Sequence, residues 1–314
     1  MHFPRYLVAA LSALPACSAL PSQQPRDSAS TISSDALKSF DFWVQYAAAA
    51  YCESNYISQV GQKLTCWAGN CPQVEAADAT ILLDFSNTTA TDTAGFLALD
   101  HAHQALILSF RGSYSVRNWL TDATFFYADP HLCTGCQAEL GFWNAWTNVR
   151  ANVTAALTHA RASYPDYELV VVGHSLGAAI ATLAAADLRD HQNETTTLYA
   201  FASPRVANPA LAKYITAQDQ QKNQGKNYRF THTNDPVPNL PLQLMGYAHI
   251  GPEYHITAPD NATVTTNQVV VYADGDSSQG NTGLLGIPDL LAFDAHHWYF
   301  ERADACLGPG LPFK

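Results

Sequence analysis

Residues 167–187 read YELVVVGHSLGAAIATLAAAD. Residues 168–172 are a short, nearly unbroken β-branched run, and 176–188 is rich in alanine and leucine, both good helix formers. Gly173-His174-Ser175-Leu176-Gly177 must therefore turn the chain from strand into helix, the context in which G-x-S-x-G is a nucleophile elbow. Crowding explains the pattern. A serine at the apex of so sharp a turn is forced into a strained backbone conformation, and a Cβ two residues to either side would strike the neighbouring strand and helix, hence Gly173 and Gly177. The hydroxyl is lifted clear of the sheet. Because a helix begins at once, the amide of Leu176 is an unpaired donor at the positive end of the helix dipole, where an oxyanion would form.

Three fixed positions in five residues also recur by chance. A small face built from Gly177, Ala178, Ala181 and Ala185 would serve any helix packed on a sheet. The strand before the motif and the helix after it are what separate it from coincidence.

The 314 residues are 47% apolar and 14% charged, enough to bury a deep core in one large α/β domain or two small ones. A formal charge of −11 argues against a nucleic-acid partner and against electrostatic adhesion to anionic membranes. Residues 1–19 read as a secretory signal peptide, with Arg5, an apolar stretch at 7–16, and small residues at Cys17, Ser18 and Ala19. That apolar stretch is too short for a permanent membrane anchor. Residues 20–35 are polar and aperiodic, expected as a flexible tail or pro-segment, and residues 36–314 as a single domain without internal repeat or linker. Beyond Cys17 remain Cys52, Cys66, Cys71, Cys133, Cys136 and Cys306, an even number that suits disulfides in an exported chain, with about 15 possible pairings. The C-x-x-C at 133–136 has no second copy and no cysteine–histidine cluster near it, so a small structural loop is expected rather than a redox or zinc motif. Sequons at Asn87, Asn152, Asn193 and Asn261 are compatible with glycosylation.

Helices are expected at 36–51, where Leu37, Phe40, Trp43, Val44, Ala47 and Ala50 form a stripe, at 142–164, stopped by Pro165, and near 209–217. Strands are expected at 80–85, 95–100, 105–110, 197–202, 228–232 and 268–272. Strand and helix alternate through the second half, which implies α/β architecture with a mostly parallel sheet and helices on both faces.

A serine hydroxyl needs an imidazole base, and the base a carboxylate to fix its tautomer. After an elbow serine these follow in the order acid, then histidine. Asp235 is the best acid: it lies just past the 228–232 strand, in a loop made rigid by Pro236 and Pro238. Asp260, Asp274, Asp276, Asp289 and Asp294 lie in turns where acids are usually solvated or capping, with Asp294 the main competitor. For the base, His249 and His255 flank GPEY in an expected hairpin, and His296 and His297 precede Trp298-Tyr299-Phe300. Spacing does not choose within the last pair. His174 precedes the acid and is expected to pack or hydrogen-bond beside the turn.

FRGSYSVRNWL, GHSLG, THTNDPVPNLP and AHHWYF, in this order and spacing, resemble the secreted fungal triacylglycerol lipases of the lipase class 3 family, in the α/β-hydrolase superfamily. The similarity also takes in ADAT, GFLALD, YPDY and GPEY. It implies Ser175 as nucleophile, Asp235 as acid and, from H-x-x-Y-F, His296 as base. It adds the amide of Ser113 to that of Leu176 as oxyanion donors, with Asp122 available to orient the Ser113 hydroxyl. It makes Tyr114, Ser115, Val116, Trp119 and Leu120 part of a lid, in which Val116, Trp119 and Leu120 share one helical face able to cover the serine or meet lipid. The family's disulfides map onto Cys52 with Cys306, Cys66 with Cys71, and Cys133 with Cys136. Ala178 replaces a common glycine, and the loop before His296 carries extra apolar bulk at 290–293.

The resemblance implies a secreted hydrolase of lipid esters at an oil–water interface, monomeric, with no metal or organic cofactor. A feruloyl or other soluble-ester esterase, a phospholipase or a galactolipase would share the same chemistry. A non-catalytic lipid-binding protein is the rival from another class.

Overall fold

The computed structural model describes residues 30–57, 60–86, 91–115, 125–219, 221, 225–281 and 293–308. Its centre is a nine-stranded sheet in the order β1-β11-β10-β9-β8-β7-β4-β3-β2. The strands are β1 (Ser30–Thr31), β2 (Thr80–Ser86), β3 (Ala94–Asp100), β4 (Ala105–Phe110), β7 (Glu168–His174), β8 (Thr196–Phe201), β9 (Asn227–His232), β10 (Glu253–Ile256) and β11 (Val269–Tyr272). The five central strands from β4 to β10 run parallel. The antiparallel neighbours β3 and β2 lie at one edge, β11 and β1 at the other. Two short hairpins, β5 (Tyr127–Ala128) with β6 (Ala138–Glu139) and β12 (Trp298–Tyr299) with β13 (Glu301–Arg302), lie outside the sheet.

Period-two alternation assigns each central strand to two cores at once. Along β7, Leu169 and Val171 enter one cluster while Val170 and Val172 enter the other; along β4, Leu106, Leu108 and Phe110 divide likewise from Ala105 and Ile107. The first cluster is sealed by α3 (Leu140–Ser163), α4 (Leu176–His191) and α5 (Pro209–Asp219), the second by α1 (Ser34–Ala49) and the short α2 (Pro72–Ala76). Each fully buried aliphatic side chain contributes about 1.5–3 kcal/mol, so this division dominates the stability. Beyond Gly177 in its first turn a glycine would be costly in α4 but alanine is not: Ala178, Ala181, Ala184 and Ala185 are wholly buried and let the helix lie close on the sheet.

The expected elements are present with shifted ends. Strand β7 continues through Gly173 to His174, and α4 extends to His191. Ser30 and Thr31, within the stretch expected as a tail, pair with Val271 and Val270, and Ser33 caps α1 by accepting from the Ala36 amide at 3.1 Å. The hairpin expected around GPEY lies one strand later. Pro252 has no amide to give a ladder, so pairing begins at Glu253, and β10 turns back into β11 instead.

Three disulfides, Cys52–Cys306, Cys66–Cys71 and Cys133–Cys136, match the expected pairing. Asn152, Asn193 and Asn261 are exposed; Asn87, the signal peptide and most of the tail lie outside the described residues. No described helix is long and apolar enough to cross a membrane.

Candidate active site

Ser175 sits between the carboxyl end of β7 and the first turn of α4, at φ 58° and ψ −128°. For a residue with a Cβ this is strained backbone, sustained only because the surroundings over-determine it. A Cβ on Gly173 would lie 2.3 Å from the carbonyl carbon of Gly177, and one on Gly177 would lie 2.2 Å from the Phe110 carbonyl oxygen. The two glycines thus let helix, elbow and neighbouring strand approach. The serine amide donates to the Phe201 carbonyl at 2.9 Å, and the serine carbonyl accepts from Ala178 and Ala179. Leu176, the first helical residue, has an amide with no intrahelical acceptor.

His296 is carried by α6 (Asp294–His297), and its Nε2 lies 2.9 Å from Ser175 Oγ. Its Nδ1 lies 3.1 and 3.0 Å from the two oxygens of Asp235, just beyond β9. All three side chains are buried. The carboxylate is held from further sides: the Val237 amide donates to Oδ1 at 2.9 Å and the Tyr299 hydroxyl to Oδ2 at 2.6 Å. Burial alone would raise the pKa of Asp235, but the neighbouring His296 and these hydrogen bonds outweigh it and hold the acid below its usual range. Asp235 is therefore a carboxylate at neutral pH. Nδ1–H of His296 donates to it, leaving Nε2 as the acceptor facing the serine. Positions 121 and 61 residues away from His296 thus meet on one line.

The competing residues are engaged elsewhere. His249 Nε2 donates to the Pro238 carbonyl at 2.6 Å, and burial together with Arg229 and Arg205 keeps that ring neutral. His255 lies between the hydroxyls of Thr231 and Thr233. Asp294 is exposed at the start of α6, and Asp276 pairs with Arg205 at 2.9 Å. His297 faces Asp304 rather than the serine, with Nδ1 2.6 Å from Oδ2.

Ser113 follows β4 beside the elbow and is half-buried. Its neighbour Arg111 is fixed by an ion pair with Asp92 at 2.6 Å, and its guanidinium lies 4.0 Å from the Tyr114 ring centroid. Tyr114 is 47% exposed and shares a 2.5 Å hydrogen bond with Tyr56. Val116, Trp119, Leu120 and Asp122 lie outside the described residues, as do residues 290–292 of the loop before α6. His174 hydrogen-bonds beside the turn as expected, but two sets of partners were not foreseen from sequence: the Tyr299 hydroxyl on Asp235, and Tyr51 and the His296 carbonyl on the ring nitrogens of His174. H-x-x-Y carried a signal for the first; the second joins residues 123 apart and had none.

Two family models match the chain, Lipase (class 3) over residues 107–245 and the Lipase 3 N-terminal region over residues 6–83. The secreted mono- and diacylglycerol lipase A of Penicillium cyclopium is 59% identical over 298 residues, covering 94% of each chain. The secreted mono- and diacylglycerol lipase 1 of Fusarium solani is 38% identical over 285 residues, 90% of this chain and 82% of that one. Among solved structures, the mono- and diacylglycerol lipase of Aspergillus oryzae superposes with a TM-score of 0.82 at 60% identity, covering 86% of this chain and 98% of that one. With the elbow, the mostly parallel sheet and these likenesses together, the chain belongs to the lipase class 3 family of α/β-hydrolases.

Proposed function

We propose that this chain is a secreted acylglycerol lipase that works through an acyl-enzyme on Ser175. The observation that carries the reading is the unbroken line from Asp235 through His296 to a strained, elbow-borne serine. Ser175 Oγ gives its proton to His296 Nε2 and attacks the ester carbonyl. Charge on the carbonyl oxygen is taken up by the amides of Leu176 and Ser113. His296 returns the proton to the departing alcohol, then draws one from the water that releases the fatty acid. Asp235 stays ionised and steadies the imidazolium.

Partial glycerides are the preferred substrates on this reading, since the relatives at 59% and 38% identity are named for mono- and diacylglycerols. The same names, with the expected leader at residues 1–19, support export. The chain from residue 30 onward acts as one domain, since Ser30 and Thr31 join its sheet, and as a monomer, with residues 114–120 as the lid. Hydrolysis of emulsified mono- and dioleoylglycerol, trioleoylglycerol and methyl ferulate tests the assignment. The partial glycerides are expected to react fastest; activity confined to methyl ferulate would overturn it.

A further inference from the structure

His174 lies directly before the nucleophile, yet the reaction as derived gives it no task. It is 1% exposed, and both ring nitrogens are engaged. Nδ1 is 2.8 Å from the Tyr51 hydroxyl, and Nε2 is 2.7 Å from the backbone carbonyl of His296. A carbonyl only accepts, so Nε2 carries the proton and Nδ1 accepts from the Tyr51 O–H. The ring is uncharged: burial first, then the neighbouring His296, push its pKa down to about 3. That neutrality suits its place, because the two imidazole centroids are 4.8 Å apart and a second positive ring would oppose the imidazolium formed during acyl transfer.

The hydrogen bond falls where the backbone is weakest. Helix α6 has four residues, too few to hold itself; the Ala295 carbonyl accepts from the Trp298 amide and the His297 carbonyl from Ala303, while the His296 carbonyl is reached from outside the helix. His174 supplies the missing donor to the carbonyl of the base-bearing residue itself. Tyr51 is anchored in turn. It is buried, it precedes Cys52 of the disulfide to Cys306, and Gly112 packs so closely that a Cβ there would lie 2.0 Å from its hydroxyl. The line from Tyr51 to His296 therefore ties the end of α1 to the elbow and to the base-bearing turn, and abuts the residue before Ser113.

We propose that Tyr51 and His174 are positioning residues, holding the His296 backbone so that its imidazole keeps hydrogen-bond distance to Ser175. The inference rests on the reading of Ser175, Asp235 and His296 given above. A displacement of about 1 Å in such a constellation costs on the order of 100-fold in rate, so a modest slackening of α6 is measurable.

The test uses the full secreted chain with a soluble short-chain p-nitrophenyl ester, which removes any effect of a lipid interface. Tyr51→Phe, His174→Leu, His174→Gln and the double variant Tyr51→Phe/His174→Leu are compared by kcat, KM and thermal unfolding. His174→Leu is expected to lower kcat about 20-fold and Tyr51→Phe about fivefold, with KM within about twofold of the parent. Because both act through one line, the double variant is expected to be no slower than His174→Leu alone. His174→Gln keeps an amide donor near the Nε2 position and is expected to recover part of the loss. A kcat within twofold of the parent in folded His174→Leu would overturn the proposal. So would losses that multiply in the double variant, or equal losses in the Gln and Leu variants. Should His174→Leu fail to fold, Tyr51→Phe and His174→Gln decide: kcat unchanged in both overturns it. Phosphonate labelling of Ser175 in the parent reports separately on the triad, so failure of that reading is distinguishable from failure of this one.

Discussion

His296 and His297 are adjacent, share one short helix, and each faces a buried carboxylate, yet their surroundings differ in kind. His296 has Asp235 on Nδ1 and a serine hydroxyl on Nε2. His297 has Asp304 at ion-pair distance from Nδ1, but neither of its ring nitrogens makes a well-aligned hydrogen bond among the described residues, and Asp304 is shared with Arg302 at 3.3 Å. A histidine–carboxylate pair is thus an ordinary structural device in this molecule, recurring at His103–Asp100 and His191–Asp187. What turns one such pair into a candidate machine is the third group, offered by a turn strained enough to raise it. The second pair serves as a staple, joining the end of α6 to the segment that carries Cys306.

The sharpest way to break this contrast is to truncate each histidine. His296→Ala is expected to lower kcat/KM by about 10⁴-fold or more, while His297→Ala stays within about tenfold; steady-state rates on a soluble ester decide, and comparable losses would erase the distinction. Next in size, Asp235→Asn leaves the shape but favours the wrong tautomer of His296, and a fall of about 10³–10⁴-fold in kcat is expected, read in the same assay. Tyr299→Phe removes one donor from the buried Asp235 carboxylate, with an expected cost of about 1–3 kcal/mol in denaturant unfolding and a kcat loss of about tenfold.

The smallest effect belongs to the other pair. Burial would raise the Asp304 pKa, but the imidazole of His297 beside it outweighs burial and holds it at about 2. A depressed folded-state pKa stabilises the fold above the unfolded value of about 4, and the benefit disappears as pH falls through the folded value. Asp304→Asn is accordingly expected to cost on the order of 2 kcal/mol at pH 6, with most of that difference gone by about pH 2 and the rest lost below it. Unfolding free energies across that window would show it, and a pH-independent difference would refute the staple.

Much of this was legible from residues. The change of period at Gly173 fixes the elbow, and the glycines flank Ser175 for the steric reason expected, each facing the backbone its Cβ would strike. Asp235 could be placed because a strand end and two prolines bound it. The choice between His296 and His297 could not be made from spacing, since one residue of offset on a four-residue helix sends two rings to different carboxylates. It came from the H-x-x-Y-F resemblance, whose tyrosine proves to touch Asp235. The GPEY hairpin was misplaced because turn-forming residues mark where pairing stops, not which strand is the partner. Contacts such as Tyr51 with His174 arise only when distant elements close on one another, and no local pattern encodes them.

The most direct measurement is the site and rate of labelling by an active-site phosphonate, followed by peptide mass spectrometry in the parent, His296→Ala and His297→Ala. The expected result is a single adduct on Ser175 in the parent, retained in His297→Ala and lost in His296→Ala. An adduct on another residue, or labelling of Ser175 at an undiminished rate without His296, would contradict the account.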